Sequence, residues 1–493
     1  MIGRAGPKNR NREDALESIW SQTCEIRPRE ALPGDIKTDV AVIGAGLAGI
    51  LTAAALQEAG CGVAVLEAGR IASGQTGNTT AKITCQHGLI YHRLIRSFGK
   101  DRALLYAEAN QTAAAEYRRM ISSRSIDCDF EERDSFVYGN DAALLRREAE
   151  AACALGLPAS FVKNPALPFP AAGAVRCQSQ AQFHPLKFIK ALAEPLTVYE
   201  TTPVLRVDGN AVVAKRGQVQ ARHIVFACHF PFVNFPGLYF ARMHQERSYV
   251  LALENAGPAR GMWVGAELGG YSLRDWKGLL LLGGGSHRCG ENSRGGRYGQ
   301  LRRLAADRFP GSRIAACWSA QDCVTADSVP YIGLYAAGRP RWYVATGFRK
   351  WGMTSSMVSA LLLRDLICGK KNPWAALFAP SRFGPGALAG VIEESGHAIK
   401  GLARHYFHLP VQSCGELPPG RGGVVRRHGK KAGLYKDENG RETAVSTACP
   451  HLGCQLEWNP DELSWDCPCH GSRFDRQGKL ISGPAQTDLP PLR

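Results

Sequence analysis

Asp39-Val-Ala-Val-Ile43-Gly44-Ala-Gly46-Leu-Ala-Gly49 leads into Ile50–Ala59 and then Gly62-Val-Ala-Val-Leu-Glu67. The short apolar run Asp39–Ile43 predicts a strand, the Ala- and Leu-rich Ile50–Ala59 a helix, and Gly62–Glu67 a second strand. Between strand and helix sits Gly-x-Gly-x-x-Gly. Gly44 permits the tight turn, Gly46 lets backbone approach a pyrophosphate, and Gly49 allows close helix–strand contact. The helix start offers free N–H groups and a positive dipole end to phosphates. Glu67 falls about 20 residues further on, where an acid accepts bonds from ribose hydroxyls. The unit is expected to hold a dinucleotide. A glycine-rich turn without a ligand has no need of Glu67.

A second constellation lies near the C-terminus: Cys449-Pro-His451-Leu-Gly-Cys454, then Cys467-Pro-Cys469-His470-Gly-Ser472. Two Cys-plus-His pairs suit a two-iron cluster of the Rieske kind, in which two thiolates hold one iron and two imidazoles the other. Structural zinc is the rival, since two Cys and two His also make a tetrahedral site. Zinc sites usually pair Cys-x-x-Cys with His-x-x-x-His, and here each loop carries a further cysteine.

These loops resemble the Rieske proteins of quinol–cytochrome c reductases. The resemblance implies Cys449, His451, Cys467 and His470 as ligands of a [2Fe-2S] cluster and a Cys454–Cys469 disulfide. It also implies that Ser472 donates a hydrogen bond to a cluster sulfide. Phe474 departs from the pattern, because high-potential members carry a tyrosine there. Losing a donor to sulfur destabilises the more negative reduced cluster and implies a lowered potential.

Residues 36–370 resemble the D-amino-acid oxidase and glycine oxidase superfamily, on several pieces taken together. Arg70–Lys82, with Thr76, Thr80 and Ala81, resembles the loop under an isoalloxazine ring. Phe183-His-Pro185-Leu186, with a helix through Ala193, resembles the entry to the substrate domain. Thr201–Val207, with Val204, and Ala221–His229 resemble the strands returning to the adenine end of FAD. Asp327–Gly333 and Ala345–Met353, with Gly347, Gly352 and Met353, resemble the final return to the flavin. A helix opening there aims its positive end at the flavin. The implied fold is α/β FAD-binding, Rossmann-like and of glutathione-reductase type, with an α+β substrate domain and a C-terminal all-β Rieske domain. The expected organisation is an N-terminal arm at 1–35, the flavin domain at 36–370, a linker at 371–412 and the Rieske domain at 413–493. The whole looks like a bacterial family of such fusions.

Within the linker, Ala387–Tyr406 reads as helix-like, and in the Rieske domain Val424–Tyr435 and Glu442–Ser446 read as strands with a turn at Asp437–Gly440. At 493 residues with 45% hydrophobic content, the chain is expected to be globular with two or three domains. No apolar run is long enough to span a membrane. Val225–Ala241 is interrupted by His229, Asn234 and two prolines. Met1–Asp14 is basic and polar, unlike a secretory signal. The net charge of +16 is scattered, without the interleaved aromatics of a nucleic-acid platform. It suits an acidic protein partner or an anionic substrate. Of 16 cysteines, twelve lie irregularly between Cys24 and Cys414, as reduced buried thiols of a cytoplasmic protein would.

A flavin takes two electrons and a Rieske cluster carries one, so their union splits a two-electron oxidation into single steps. The expected activity is that of an FAD-dependent dehydrogenase. It would oxidise an amine or amino acid and send electrons through the cluster to an external one-electron acceptor at the exposed edges of His451 and His470. Catalytic candidates are His87 and Lys350, although His87 also reads as a satisfied structural histidine. Arg349, Lys350 and Trp351 line a pocket or hold a loop, and Asp322 and Asp327 read as structural caps. Two other functions remain: an electron relay or redox sensor, and a Rieske oxygenase. His87 and His92 have the oxygenase His-x4-His spacing, but Thr84 stands where its carboxylate would be.

Overall fold

The computed structural model describes residues 16–382, 396 and 414–492. Apart from Gly396, the expected helix Ala387–Tyr406 lies outside the described residues. The strand Ile36–Ile43 runs parallel to Val63–Leu66 on one side and to Gly217–Phe226 on the other. It is the centre of an eight-stranded sheet, and Val40–Ile43 are buried on both faces, as a central parallel strand requires. Trp342–Thr346 continues the sheet in parallel, and Tyr331–Leu334 closes it antiparallel.

The following helix is Leu47–Glu58, three residues earlier than expected, because Gly46 is its N-cap and the glycine motif runs into its first turn. Gly49 therefore lies inside the helix, where a Cβ would collide with the Gly44 carbonyl. This small-residue helix packs against Gly352–Ile367, so two helix starts meet at one end of the sheet.

A nine-stranded mixed sheet forms the second layer. Its edge is the long antiparallel pair Met243–Glu254 and Arg313–Thr325, followed by Leu279–Arg288. The expected helix Pro185–Ala193 forms, with proline in its first turn and His184 as N-cap, but it leads the chain out of this layer, from Gly173–Gln182 back to Val198–Tyr199 of the first sheet, and not into it as expected.

The expected N-terminal arm is part of the flavin domain in residues 16–35. Trp20 is fully buried, edge-on to His184 and Trp276, and its Nε1–H donates to the Thr79 carbonyl at 2.6 Å. Truncating a side chain of this size in a packed site costs about 3–5 kcal/mol. This contact also pins the loop that precedes Thr80.

The C-terminal domain is built of two small antiparallel sheets, Arg421–Arg427/Lys430–Lys436/Glu442–Val445 and Glu457–Asn459/Ser464–Asp466/Arg473–Asp475/Leu480–Ser482. The single expected strand Val424–Tyr435 is two strands. His428 at φ 48° and Gly429 at φ 76° make a two-residue reversal, the left-handed pair that a tight hairpin needs. Among the described residues no helix is long and apolar enough to cross a membrane.

Candidate active site and cluster site

The two helix starts open onto a cavity of about 1050 Å³. Gly44, Gly46 and Glu67 form one wall, with Thr76, Thr80 and Val204 beside them and Gly347, Gly352 and Met353 opposite. Gly44 has φ 106°, and a Cβ there would lie 2.6 Å from the Ala227 carbonyl, so the turn and the neighbouring strand touch backbone to backbone. Glu67 accepts the Ala45 and Gly69 N–H groups at 2.8 Å each, one per carboxylate oxygen. A carboxylate accepts up to about four bonds, so Glu67, which lines the cavity, keeps capacity for a ligand hydroxyl. Thr76 Oγ1 accepts the Leu47 N–H at 2.9 Å and so caps the first helix. The second helix has no side-chain cap, and a Cβ on Gly352 would meet nothing within 4 Å. A glycine-lined cradle between two positive helix ends fits a long, anionic dinucleotide.

Two expected residues stand behind the cavity wall. Gly49 serves helix–strand contact, and Ala81 is fully buried at φ 53°. That left-handed backbone costs an alanine about 1–2 kcal/mol. Arg274 offsets it by donating to the Thr80 and Ala81 carbonyls at 2.7 and 2.8 Å.

The polar side of the cavity comes from strand register. Glu246 lies directly opposite Asp322 in the antiparallel pair, which puts both side chains on one face. Burial pushes the Asp322 carboxyl up to about 7, with Lys350 pulling the other way. A His244 hydrogen bond holds Glu246 below the ordinary range despite its burial. Asp322 is thus a mid-strand cavity residue and not the expected cap. Asp327 does act as a cap, accepting the Val329 N–H at 3.0 Å and pairing with Arg382. Lys350 lines the cavity and donates to Ser286 at 2.7 Å. Lys82 is buried with its Nζ on the Trp263 carbonyl at 3.1 Å, and burial lowers its pKa well below the usual lysine range.

His87 is occupied at both ring nitrogens. Nε2–H faces the Thr84 carbonyl at 2.9 Å, so Nδ1 accepts from the Tyr106 hydroxyl at 2.7 Å. Burial lowers its pKa to about 3, and Trp351 stacks on it at 4.9 Å. A neutral ring held in this way has no lone pair left for a substrate proton.

The cluster loops are built alike. Gly453 N–H returns to the Cys449 carbonyl at 2.9 Å and Gly471 N–H to that of Cys467 at 3.0 Å, with φ 79° and 77° at the two glycines. Cys454 and Cys469 are disulfide-bonded, and their sulfurs lie within 4.8 Å of Cys467. Cys449 and Cys467 are buried with thiols in hydrogen-bond contact, which pulls Cys449 down and pushes Cys467 up. Such a pair keeps its second proton until a cation displaces it. The Nδ1 atoms of His451 and His470 face each other at 3.2 Å. Two nitrogens each about 2.0–2.1 Å from one tetrahedral metal lie about 3.3 Å apart, so this span fits a shared ion. Ser472 Oγ accepts the Ala485 N–H at 2.9 Å, leaving its hydroxyl proton for the Cys449 sulfur.

The histidine edge does not face outward as expected. His470 is buried and His451 half-buried against the flavin domain. His451 Nε2 lies 2.7 Å from Asn234 Oδ1, and the His470 ring sits 6.3 Å from Phe230 and 5.9 Å from Phe240. Phe230 also lines the cavity, and so does the C-terminal segment 480–486. None of these was singled out as a site residue from the sequence. Asn234 stood out there only as an interruption of an apolar run.

Residues 39–366 match the DAO family, FAD dependent oxidoreductases. The chain belongs to that family. Residues 408–493 match the Rieske [2Fe-2S] domain, so this family member binds FAD and a [2Fe-2S] cluster and is a flavoenzyme. YhfW of Bacillus subtilis (strain 168), named as a Rieske 2Fe-2S iron-sulfur protein, is 38% identical over 96% of this chain and 97% of its own. Glycine oxidase from Geobacillus kaustophilus superposes with a TM-score of 0.60 at 20% identity, covering 70% of this chain and 99% of its own. L-proline dehydrogenase from P. horikoshii superposes at 0.59 and 17%, covering 71% and 98%. At these identities the two structures are similar in fold.

Proposed function

We propose that this FAD-dependent oxidoreductase is a dehydrogenase for an amine or amino acid. On this reading the two electrons taken from substrate leave singly through the cluster to an external acceptor. The carrying observation is Phe230, one ring that lines the cavity and also packs against His470. Glycine oxidase and L-proline dehydrogenase, which share the fold, support the substrate class.

The residues divide the work. Gly44, Gly46 and Glu67 hold the pyrophosphate and ribose of FAD, Gly49 lets the first helix pack close behind them, Thr76 keeps that helix start in place, and Val204 flanks the adenine end. Thr80, Gly347, Gly352 and Met353 surround the flavin, which supplies hydride acceptance when bound, and Ala81 shapes the loop from behind. Cys449, His451, Cys467 and His470 ligate the cluster, a one-electron carrier. The Glu246–Asp322 face meets the substrate nitrogen, and Asp322 takes up one proton as the amine becomes an imine, which then hydrolyses. Lys350 orients that face through Ser286. The acceptor is a one-electron carrier, and an acidic protein suits the charge of +16. The many reduced thiols suit the cytoplasm.

The test is anaerobic titration of the pure protein with a panel of amines and amino acids, followed in the visible flavin band. Bleaching by one member with stoichiometric imine-derived carbonyl supports the proposal. A panel that leaves the flavin oxidised, while dithionite bleaches it, rejects the substrate class.

A further inference from the structure

We infer that Asn234 is a positioning residue for the cluster, at the centre of a socket on the flavin domain that holds the histidine edge in an electron-receiving position. The inference takes its meaning from the flavin-to-cluster direction proposed above, but its test rests on the hydrogen bond alone.

The socket is built from the excursion between Gly217–Phe226 and Met243–Glu254, together with Gln245 on the latter strand and Gln321 on its neighbour. Asn234 Oδ1 meets His451 Nε2 at 2.7 Å. An amide oxygen can only accept, so Nε2 carries the proton, which leaves Nδ1 free to bind metal. Phe230 and Phe240 flank His470. Gln245 donates to the His470 carbonyl at 2.5 Å and Gln321 to the Gly471 carbonyl at 2.7 Å. Gln321 also donates to Gln245 Oε1 at 2.5 Å, so the two amides hold each other in place. Side chain and backbone of one cluster loop are thus gripped at the same time. A Cβ on Gly471 would lie 2.7 Å from Gln245 and 2.8 Å from Gln321, so only glycine lets the loop seat this deeply.

The socket has two consequences. While docked, the imidazole edge is taken up by Asn234, Phe230 and Phe240, so it serves the flavin side, and an external acceptor reaches the cluster when the edge leaves the socket. One electron at a time passes from reduced flavin to the ferric cluster, twice per substrate, and the external acceptor reoxidises the cluster after each passage. In addition, an acceptor on Nε2–H makes the imidazole a stronger donor and stabilises the ferric state. Asn234 therefore sets the potential of the cluster as well as its place.

The experiment uses the holoenzyme with Asn234→Leu, similar in volume without the oxygen, and Asn234→Asp, which restores an acceptor. Reductive titration with dithionite, without substrate, is followed by EPR. The expected result for Asn234→Leu is a positive shift, with the reduced-to-oxidised ratio at fixed applied potential rising at least threefold. The nitrogen couplings of His451 change, and Asn234→Asp, which restores an acceptor and adds a negative charge, reverses the shift and takes the potential below wild type. Flavin reduction by dithionite is unchanged in both variants. A cluster of wild-type potential and wild-type nitrogen couplings in Asn234→Leu overturns the inference. If Asn234→Leu fails to load a cluster, Asn234→Asp decides. Its added charge must shift the potential below wild type, and an unshifted value overturns the inference as well. Because no amine enters the titration, a wrong substrate class leaves this result untouched.

Discussion

Glu462→Gln probes whether the two domains are joined as the structure has them. Glu462 Oε2 accepts from Arg247 at 2.7 Å, Arg473 at 2.9 Å and Ser319 at 2.8 Å, and Oε1 accepts from Tyr298 at 3.1 Å. Arg247, Ser319 and Tyr298 belong to the flavin domain, and Glu462 and Arg473 to the Rieske domain. The Arg247 and Glu462 side chains are only 2% and 8% exposed. Arg473 keeps a second partner in Asp466 at 3.1 Å, so the substitution leaves Arg247 as the buried charge without a carboxylate. Breaking a buried pair from one side costs about 3–5 kcal/mol, and the retained amide of glutamine keeps the cost near the lower end. The loss falls on docking. About 3 kcal/mol changes the ratio of docked to undocked domains by roughly 100-fold, at 1.4 kcal/mol per factor of ten. Hydrogen exchange is the assay, with faster exchange expected at 243–254 and 460–475 and little change in Ile36–Ile43. Arg119→Ala is the control, because its pair with Glu116 leaves Arg119 58% exposed and is worth less than about 1 kcal/mol. Equal exchange in Glu462→Gln and wild type would refute the reasoning.

Cys449→Ser is expected to lose the cluster EPR signal and keep bound flavin, since the two sites have separate cores; loss of both together contradicts two modules. Ser472→Ala removes a donor to the Cys449 sulfur. Losing a charge-assisted bond of about 1.5–3 kcal/mol, with half or more specific to the reduced state, lowers the potential by roughly 30–130 mV for one electron. Phe474→Tyr is expected to move the potential the other way if its hydroxyl reaches a sulfur, and a redox titration reads both. Asp322, with its carboxyl near 7, is protonated below that pH and ionised above it. The rate kcat/KM therefore rises as pH passes through about 7, and Asp322→Asn removes that limb. Its folded pKa lies above the unfolded value, so Asp322 costs stability increasingly between pH 3.8 and about 7, a slope that the variant also loses.

What the sequence made legible was local chemistry. Gly44, Gly46 and Gly49 act through turn geometry that neighbouring residues dictate, and the cysteine loops close on their own glycines. What it hid depended on chain segments far apart. Glu246 and Asp322 meet because two strands pair in one register, which neither strand's pattern encodes. Asn234 meets His451 across 217 residues, through a loop whose polar residues read only as breaks in an apolar run. The hairpin at His428-Gly429 hides because histidine stands where Asn or Asp usually announces such a turn. His87 attracted attention for its chemistry, yet burial and three hydrogen-bond partners turn it into a packing residue.

The central claim is that electrons cross directly between the flavin cavity and the docked cluster of one chain. Rapid-freeze EPR after mixing oxidised holoenzyme with a flavin-reducing substrate measures this. The account predicts a cluster signal rising in a first-order phase whose rate is independent of protein concentration. A cluster that stays oxidised beside fully reduced flavin, or a rate that scales with protein concentration, would contradict it.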